Sequence, residues 1–456
     1  MGMNLTKIFK PQTMAIIGVS LSNPFNPANV IYNKNRHHCT AETYGVNPRG
    51  GELYGQKIYA SISEIPVPVD LAVISVKADF VPQVIKECIK FGVGGAIIIS
   101  GGFTESGKQD LEKEIRDTAV KNDFPVIGPN CLGVMSYPHV DTFFLSRERL
   151  IALNPGNVSL ISQSGGILVD QLIKLTQEGV GIARAVSIGN KAVLDEVDIL
   201  EYLNTDRDTD VIGIYVEGFK EDRGRKFIET ADSMKKPVII IKSGKTPGGT
   251  RAVSSHTASI AGDYTTFCQV VAKSRAIEAT SENEFVSFCE VLSNYPGKRV
   301  TNTCIITASG GHGAMASDGL YDTGIMIPEI PEGDRTRLKA LVSENIRDIA
   351  SFSNPVDLTG SAGDIDFVES VKFFFSTDYI DCVLLLLLPY LPGISTDIGS
   401  RISELVRTFK KPLVVYIPHV DKYDIFIEGF EGNGIPVAHS VEGAVNMVKA
   451  IAGEKI

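Results

Sequence analysis

Val158-Ser159-Leu160-Ile161-Ser162-Gln163-Ser164-Gly165-Gly166 runs from an apolar, buried-type strand straight into a glycine-rich turn that opens a helix. Cys304-Ile305-Ile306-Thr307-Ala308-Ser309-Gly310-Gly311-His312-Gly313 does the same. Each stretch is followed by an intermediate apolar strand, Val211–Val216 or Cys382–Leu388. Each then reaches a Lys-Lys-Pro that feeds a further strand, at Lys235-Lys236-Pro237 and Lys410-Lys411-Pro412. The shared order and spacing predict two copies of one flavodoxin-like, doubly wound unit. Asn294-Tyr295-Pro296-Gly297-Lys298 reads as the linker between them.

Upstream of the repeat, strands are expected near Met14–Gly18, Tyr44–Asn47, Leu71–Val76, Ala96–Ser100 and Pro125–Ile127. Helices are expected at Phe80–Phe91 and Lys108–Asn122, and the block closes on Gly128-Pro129-Asn130-Cys131-Leu132-Gly133. This alternation predicts a Rossmann-like domain. The expected fold class is α/β, with that domain at 1–140 and flavodoxin-like domains at 150–292 and 299–456. A chain of 456 residues accommodates three domains at the usual ~150 residues each. The formal net charge of −10 is spread along the chain, which argues against nucleic acid or an anionic membrane as partner. The first residues lack a signal-peptide apolar core, and no apolar run is long enough to span a bilayer. Seven scattered cysteines without a CxxC predict a reduced, cytoplasmic protein with neither disulfides nor a metal site.

The Ser-Gly-Gly turns carry chemical meaning. The first N–H groups of a helix have no internal partner, and glycines let an anion approach them. Ser164, Gly165 and Gly166 form one expected phosphate cradle, and Ser309, Gly310 and Gly311 the other. In the first domain, Ile17-Gly18-Val19-Ser20-Leu21-Ser22 keeps only the first glycine of GxGxxG, and the loop through Asn29 is long. Arg49 follows the second strand, where an NAD enzyme would carry an acidic residue. A cation there suits a phosphorylated ribose or pyrophosphate, as in NADP or coenzyme A.

His256 lies in a small-residue stretch from Lys242 to Ser259, expected to be a long loop leaving the strand Pro237–Ile241, with a helix starting at Asp263. A histidine held there could act as base, metal ligand or nucleophile. Glu217 ends the strand Val211–Val216 on the same sheet edge, and a carboxylate on one ring nitrogen raises the basicity of the other. The loop histidine, the strand-end glutamate and the two cradles together suggest a phosphohistidine. His312 competes for that role. His37 and His38 read as a polar loop, and His139, His419 and His439 have no evident catalytic neighbours.

The motifs Ile17-Gly18-Val19-Ser20, Asn47-Pro48, Gly128 to Gly133, Ser162 to Gly166, Tyr215-Val216-Glu217-Gly218 and Ser255-His256-Thr257-Ala258 resemble the NDP-forming acyl-CoA synthetase superfamily. Succinyl-CoA synthetase is its best-known member. The third block makes the chain most similar to the α subunits of the archaeal-type ADP-forming acetyl-CoA synthetases (acetate–CoA ligases). The resemblance implies the reaction acyl-CoA + ADP + phosphate ⇌ acid + ATP + CoA, a substrate-level phosphorylation. It proceeds through an acyl phosphate and a phosphohistidine at His256 oriented by Glu217. The resemblance also implies a CoA site at Gly18, Ser20, Ser22, Asn47, Pro48, Arg49, Val76, Lys77, Ser100, Gly101 and Asn130. Val169 is the candidate for the acyl pocket. The chain has no P-loop, and the resemblance implies that ADP or ATP with Mg binds an ATP-grasp β subunit, in an α2β2 heterotetramer. The Gly248-Gly249 stretch would let the His256 loop swing between the two sites. Leu21 replaces a glycine common in the succinyl-CoA synthetase CoA loop, and His312 stands where relatives vary. The rival readings are a catalytically silent CoA-binding or regulatory subunit of the same fold, and an NADP-linked oxidoreductase, which the missing GxGxxG opposes.

Overall fold

The computed structural model describes residues 3–146, 153–257, 263–321 and 323–452, with backbone alone for 254–257. Nineteen strands form three sheets among the described residues. The first contains β1 (Thr13–Ile17), β2 (Glu42–Val46), β3 (Gly51–Leu53), β4 (Gln56–Tyr59), β5 (Leu71–Ile74), β6 (Ala96–Ile98) and β7 (Val126–Ile127). Their order is β3-β4-β2-β1-β5-β6-β7, and only β3 runs antiparallel to its neighbour. Without that edge strand the order is the Rossmann one, reversing between β1 and β5.

The second sheet contains β8 (Gly133–Ser136), β9 (Val140–Asp141), β10 (Pro155–Ser162), β11 (Ile182–Ser187), β12 (Val211–Val216), β13 (Val238–Lys242) and β14 (Ile277–Glu278). The third contains β15 (Thr303–Thr307), β16 (Val356–Asp357), β17 (Cys382–Leu386), β18 (Leu413–Tyr416) and β19 (Val437–Ala438). The orders are β14-β13-β12-β10-β11-β8-β9 and β16-β15-β17-β18-β19. Numbered within each unit, both contain the parallel series 2-1-3-4-5 of flavodoxin, with β8 and β9 added antiparallel to the second sheet. The duplication read from the sequence is therefore present in the topology.

The first two sheets belong to one compact unit, and a single apolar core joins them through Ile97, Ile127, Val134, Ile161 and Val186. The third sheet belongs to a second unit, residues 279–456 with 177–180. The helix Glu282–Asn294 goes with that unit, and the expected linker is packed rather than loose. Tyr295 is buried there, and its hydroxyl donates to the Leu413 carbonyl at 2.7 Å. The early loop is also shorter than expected. Asn26 caps a helix, Pro27–His38, whose first residue is a proline with no N–H to lose, so His37 and His38 end a helix rather than sit in a loop.

Candidate functional site

In open α/β sheets ligands bind beyond the carboxyl ends of the strands where the order reverses. In the first sheet that point lies after β1 and β5. Gly18 takes φ +105° there, and a Cβ on it would stand 2.2 Å from the Ser75 carbonyl oxygen, so only glycine fits. A cavity of about 300 Å³ opens beside it, lined by Ile17, Gly18, Val46, Pro48, Val76 and Phe80 among others. The neighbouring loops are held by side chains. Asn29 accepts from the Ser20 N–H at 2.6 Å and donates to its carbonyl at 2.8 Å, while Ser20 Oγ accepts from the Ser22 and Asn23 N–H groups. Asn47 donates to the Val19 carbonyl at 2.7 Å and accepts from the Arg49 N–H at 2.9 Å. Arg49 and Lys77 are exposed.

Ser100 Oγ donates to the Val76 carbonyl at 2.5 Å, and the Asn130 N–H donates to the Ser100 carbonyl at 2.9 Å. A Cβ on Gly101 would meet Asn130 Oδ1 at 3.0 Å. Cys131, in the same segment, is no nucleophile: burial pushes its thiol up to about 12, and its Sγ donates to the Ile98 carbonyl. Beneath this edge Asn190 donates to Glu105 at 2.7 Å and to Glu112 at 3.0 Å. Burial alone would raise the Glu105 pKa. Hydrogen bonds from Asn190 and from the Gly102 and Phe103 N–H groups outweigh it and hold the carboxyl below its ordinary value.

In the second sheet the order reverses between β10 and β12. Ser162 Oγ donates to the Ser164 carbonyl at 2.7 Å and accepts from its N–H at 3.2 Å, which folds the chain into the helix Gly165–Gln177. Gly165 is required by packing, since a Cβ would lie 2.9 Å from Leu132 Cγ. A Cβ on Gly166 would meet nothing within 4 Å, so the turn opens to space. The third sheet repeats this turn: Thr307 Oγ1 donates to the Ser309 carbonyl at 3.2 Å and accepts from its N–H at 3.1 Å, and the helix Gly310–Leu320 follows. His312 Nδ1 lies 2.9 Å from Ser309 Oγ. The two turns belong to different units. Val169, one turn along the first helix, is half-buried.

Glu217 follows β12 and is 5% exposed. Gln163, from the β10 turn, accepts from the Glu217 N–H at 2.9 Å and so ties the two strand ends together. The adjacent β13 leads to the His256 segment, where the structure corrects the expected loop. Pro247–Thr257 is a helix, and His256 lies in its last turn, with its side chain outside the described residues. Pro247 fits the first helical position, and Thr246 Oγ1 accepts from the Gly249 N–H at 3.1 Å. Val253 is buried and anchors the helix, which packs against the Thr104–Ser106 turn of the first domain. Gly248 and Gly249 are thus part of a helical first turn, not of a flexible strap. The capping threonine and the proline outweigh the weak helix preference of the two glycines. Thr257 ends this helix, while Ala258 and Ser259 lie outside the described residues.

The sequence reading assigned no role to Lys191 or Lys242, both buried beneath Glu217. A lysine closing the apolar run Val238–Ile241 was the available signal. His419 and His439, expected to have no evident catalytic neighbours, lie beside each other. Their rings stack at 4.5 Å, and His439 Nε2 lies 3.6 Å from Glu178. Among the described residues no helix is long and apolar enough to cross a membrane.

Residues 12–137 match the CoA binding domain family, and residues 155–292 match the succinyl-CoA ligase like flavodoxin domain family. The chain is 34% identical to subunit alpha of acetate–CoA ligase [ADP-forming] I from Pyrococcus furiosus, over 98% of this chain and 97% of that one. It is 37% identical to acetate–CoA ligase [ADP-forming] I from Archaeoglobus fulgidus, over 84% of this chain but only 55% of that longer protein. The dinucleotide-forming acetyl-coenzyme A synthetase 1 of Ca. Korarchaeum cryptofilum, solved with phosphate and ADP, superposes with a TM-score of 0.91 at 31% identity. That match covers 99% of this chain and 97% of that one. By sequence along nearly its whole length and by fold, the chain belongs to the ADP-forming acetate–CoA ligase family.

Proposed function

We propose that this chain is the α subunit of an ADP-forming acetyl-CoA synthetase, catalysing acyl-CoA + ADP + phosphate ⇌ acid + ATP + CoA. The observation that carries the reading is one sheet edge. There the Ser164-Gly165-Gly166 turn, the buried Glu217 and the segment leading into the His256 helix follow the neighbouring strands β10, β12 and β13. CoA binds at the reversal of the first sheet, over Gly18, Ser20, Ser22, Asn47, Pro48 and Val76. Arg49 and Lys77 meet its phosphates, and Ser100, Gly101 and Asn130 lie along its thiol end. Phosphate attacks the thioester carbonyl, the carbon–sulfur bond breaks, and CoA leaves with acyl phosphate remaining. Val169 limits the acyl group to a short apolar one.

A His256 ring nitrogen then attacks phosphorus and the carboxylate departs. Glu217 orients the ring, and the cradle at Ser164, Gly165 and Gly166 neutralises the transferring oxygens, while Ser309, Gly310 and Gly311 form a second anion cradle. The phosphoryl group passes to ADP, with Mg, on an ATP-grasp β subunit in an α2β2 assembly in the cytoplasm. The test mixes the chain with its β partner, labelled ATP and magnesium. Acid-labile, base-stable label is expected on His256, absent from His256→Ala and slowed in Glu217→Gln. No label on the wild type, or undiminished label in His256→Ala, sinks the reading.

A further inference from the structure

Glu217 and Gly218 have every backbone polar group bonded to a buried side chain. Gln163 Oε1 accepts from the Glu217 N–H at 2.9 Å and from the Gly218 N–H at 3.4 Å. Lys242 Nζ donates to the Glu217 carbonyl at 3.1 Å and to the Ser243 carbonyl at 2.8 Å. Lys191 Nζ donates to the Gly218 carbonyl at 2.7 Å and pairs with Glu196 at 3.1 Å. Gln163, Lys191 and Lys242 are each no more than 5% exposed. Taking an ammonium group out of water is unfavourable unless its partners offset the lost hydration. Burial holds the Lys242 ammonium below the usual lysine range, against the opposing pull of Cys268, Glu217 and Asp263. Two buried lysines are an expensive way to hold one dipeptide.

The duplication supplies an internal control. Ser162 pairs with Tyr215 and Tyr215 with Ile241, just as Thr307 pairs with Leu386 and Leu386 with Tyr416. Counting on from these registers, Gln163, Glu217 and Lys242 correspond to Ala308, Leu388 and Ile417. All three counterparts are buried and apolar. The second copy keeps the hydroxyl-locked Ser-Gly-Gly turn. Where it has no carboxylate, it has neither of these two supports.

We infer that Gln163, Lys191 and Lys242 are positioning residues that fix the Glu217 carboxylate for its work on His256, an inference that rests on the phosphohistidine function proposed above. Phosphohistidine formation in the complex with the β partner tests it, with Gln163→Ala, Lys242→Met and the paired Lys191→Met/Glu196→Gln, which leaves no buried charge behind. Each is made in the wild-type and in the Glu217→Gln background. Misplacement of a reacting group by an ångström costs up to about 100-fold. Labelling is therefore expected to slow by about 10-fold or more in the wild-type background, with CoA affinity kept, and by less than about 2-fold once Glu217 is gone. Equal slowing in both backgrounds means general damage and overturns the inference, as does normal labelling in any of the folded variants. No label on the wild type overturns the function itself, so the two failures are distinct.

Discussion

Gly18→Ala should cost the first domain far more than the same change at Gly166. At Gly18 the backbone sits at φ +105°, which costs an alanine roughly 1–3 kcal/mol. The added Cβ would also stand 2.2 Å from the Ser75 carbonyl oxygen and 3.0 Å from Val76 Cγ1. Relief requires β1 and β5 to part by about an ångström at their carboxyl ends. That parting strains the Ser75 N–H to Ile17 carbonyl bond, at 2.9 Å, and the displacement of Gly18 itself disturbs its N–H bond to the Val46 carbonyl of β2, at 3.0 Å. Each is worth about 1 kcal/mol net. The total is about 3–5 kcal/mol, or a fall in Tm on the order of 10 °C for a unit of this size. Gly166 stands in the first helical turn with nothing within 4 Å of the added carbon. Gly166→Ala should leave Tm unchanged or raise it, by up to about 1 kcal/mol of helix preference. Thermal unfolding of the two variants side by side, with hydrogen exchange resolved over residues 12–137, reads the difference. CoA titration should show weakened binding for Gly18→Ala. Equal Tm values for the two variants, or wild-type CoA affinity in Gly18→Ala, would refute the reasoning.

A pH effect is expected in the second unit. Burial, reinforced by the Glu178 carboxylate and opposed by His439, pushes the Glu431 carboxyl up from 4.5 to about 7. A raised acid contributes its stability in full below pH 4.5 and loses it as pH rises through about 7. Glu431→Gln should therefore match the wild type near pH 4.5 and exceed it at pH 8 by up to about 3 kcal/mol, measured by urea unfolding at both pH values. An advantage that is the same at both pH values would contradict this. In the first unit, Arg184 is buried and its guanidinium meets Asp206 at 3.4 Å and Asp208 at 2.5 Å. Arg184→Met leaves the buried Asp206 carboxylate with Lys10, at 3.6 Å, as its remaining counter-charge and the Thr209 hydroxyl as a donor. It should cost about 1.5–3 kcal/mol in the same assay, whereas a loss under about 0.5 kcal/mol would show the pair to be dispensable.

Most of the long parallel strands were legible because each is a short β-branched run bounded by turn residues, but β11, β14, β16 and β19 and the strand order within each sheet were not. Val211–Val216 is matched residue for residue, and Cys382–Leu388 overruns its strand by two. The short pairs β3–β4 and β8–β9 were not seen, since two to four residues leave no period to read. The helix around His256 was hidden for another reason. Gly248, Gly249, Ser254 and Ser255 have weak helix preference, and the cap at Thr246 and the anchoring of Val253 outweigh it. The supports of Glu217 were illegible because they lie 25 to 54 residues away along the chain, at Gln163, Lys191 and Lys242. Such partners become neighbours only when the strand order is known.

The two copies divide the properties of the site in a way that neither copy explains alone. Both retain a hydroxyl beneath the turn, Ser162 or Thr307, bonded twice to the serine that opens the helix. That lock sets a glycine with open space around it, Gly166 or Gly311, in the first turn of the helix, which suits an anion and demands no titratable group. The first copy alone adds a buried carboxylate with polar supports, whereas Leu388, Ala308 and Ile417 fill the same positions in the second at no desolvation cost. Holding an anion needs only oriented dipoles, but orienting a histidine needs a charge held still. A duplicated fold can therefore keep the inexpensive function twice and the costly one once. On the proposed reading, the second turn is a binding cradle, and the chemistry of phosphoryl transfer to His256 belongs to the first.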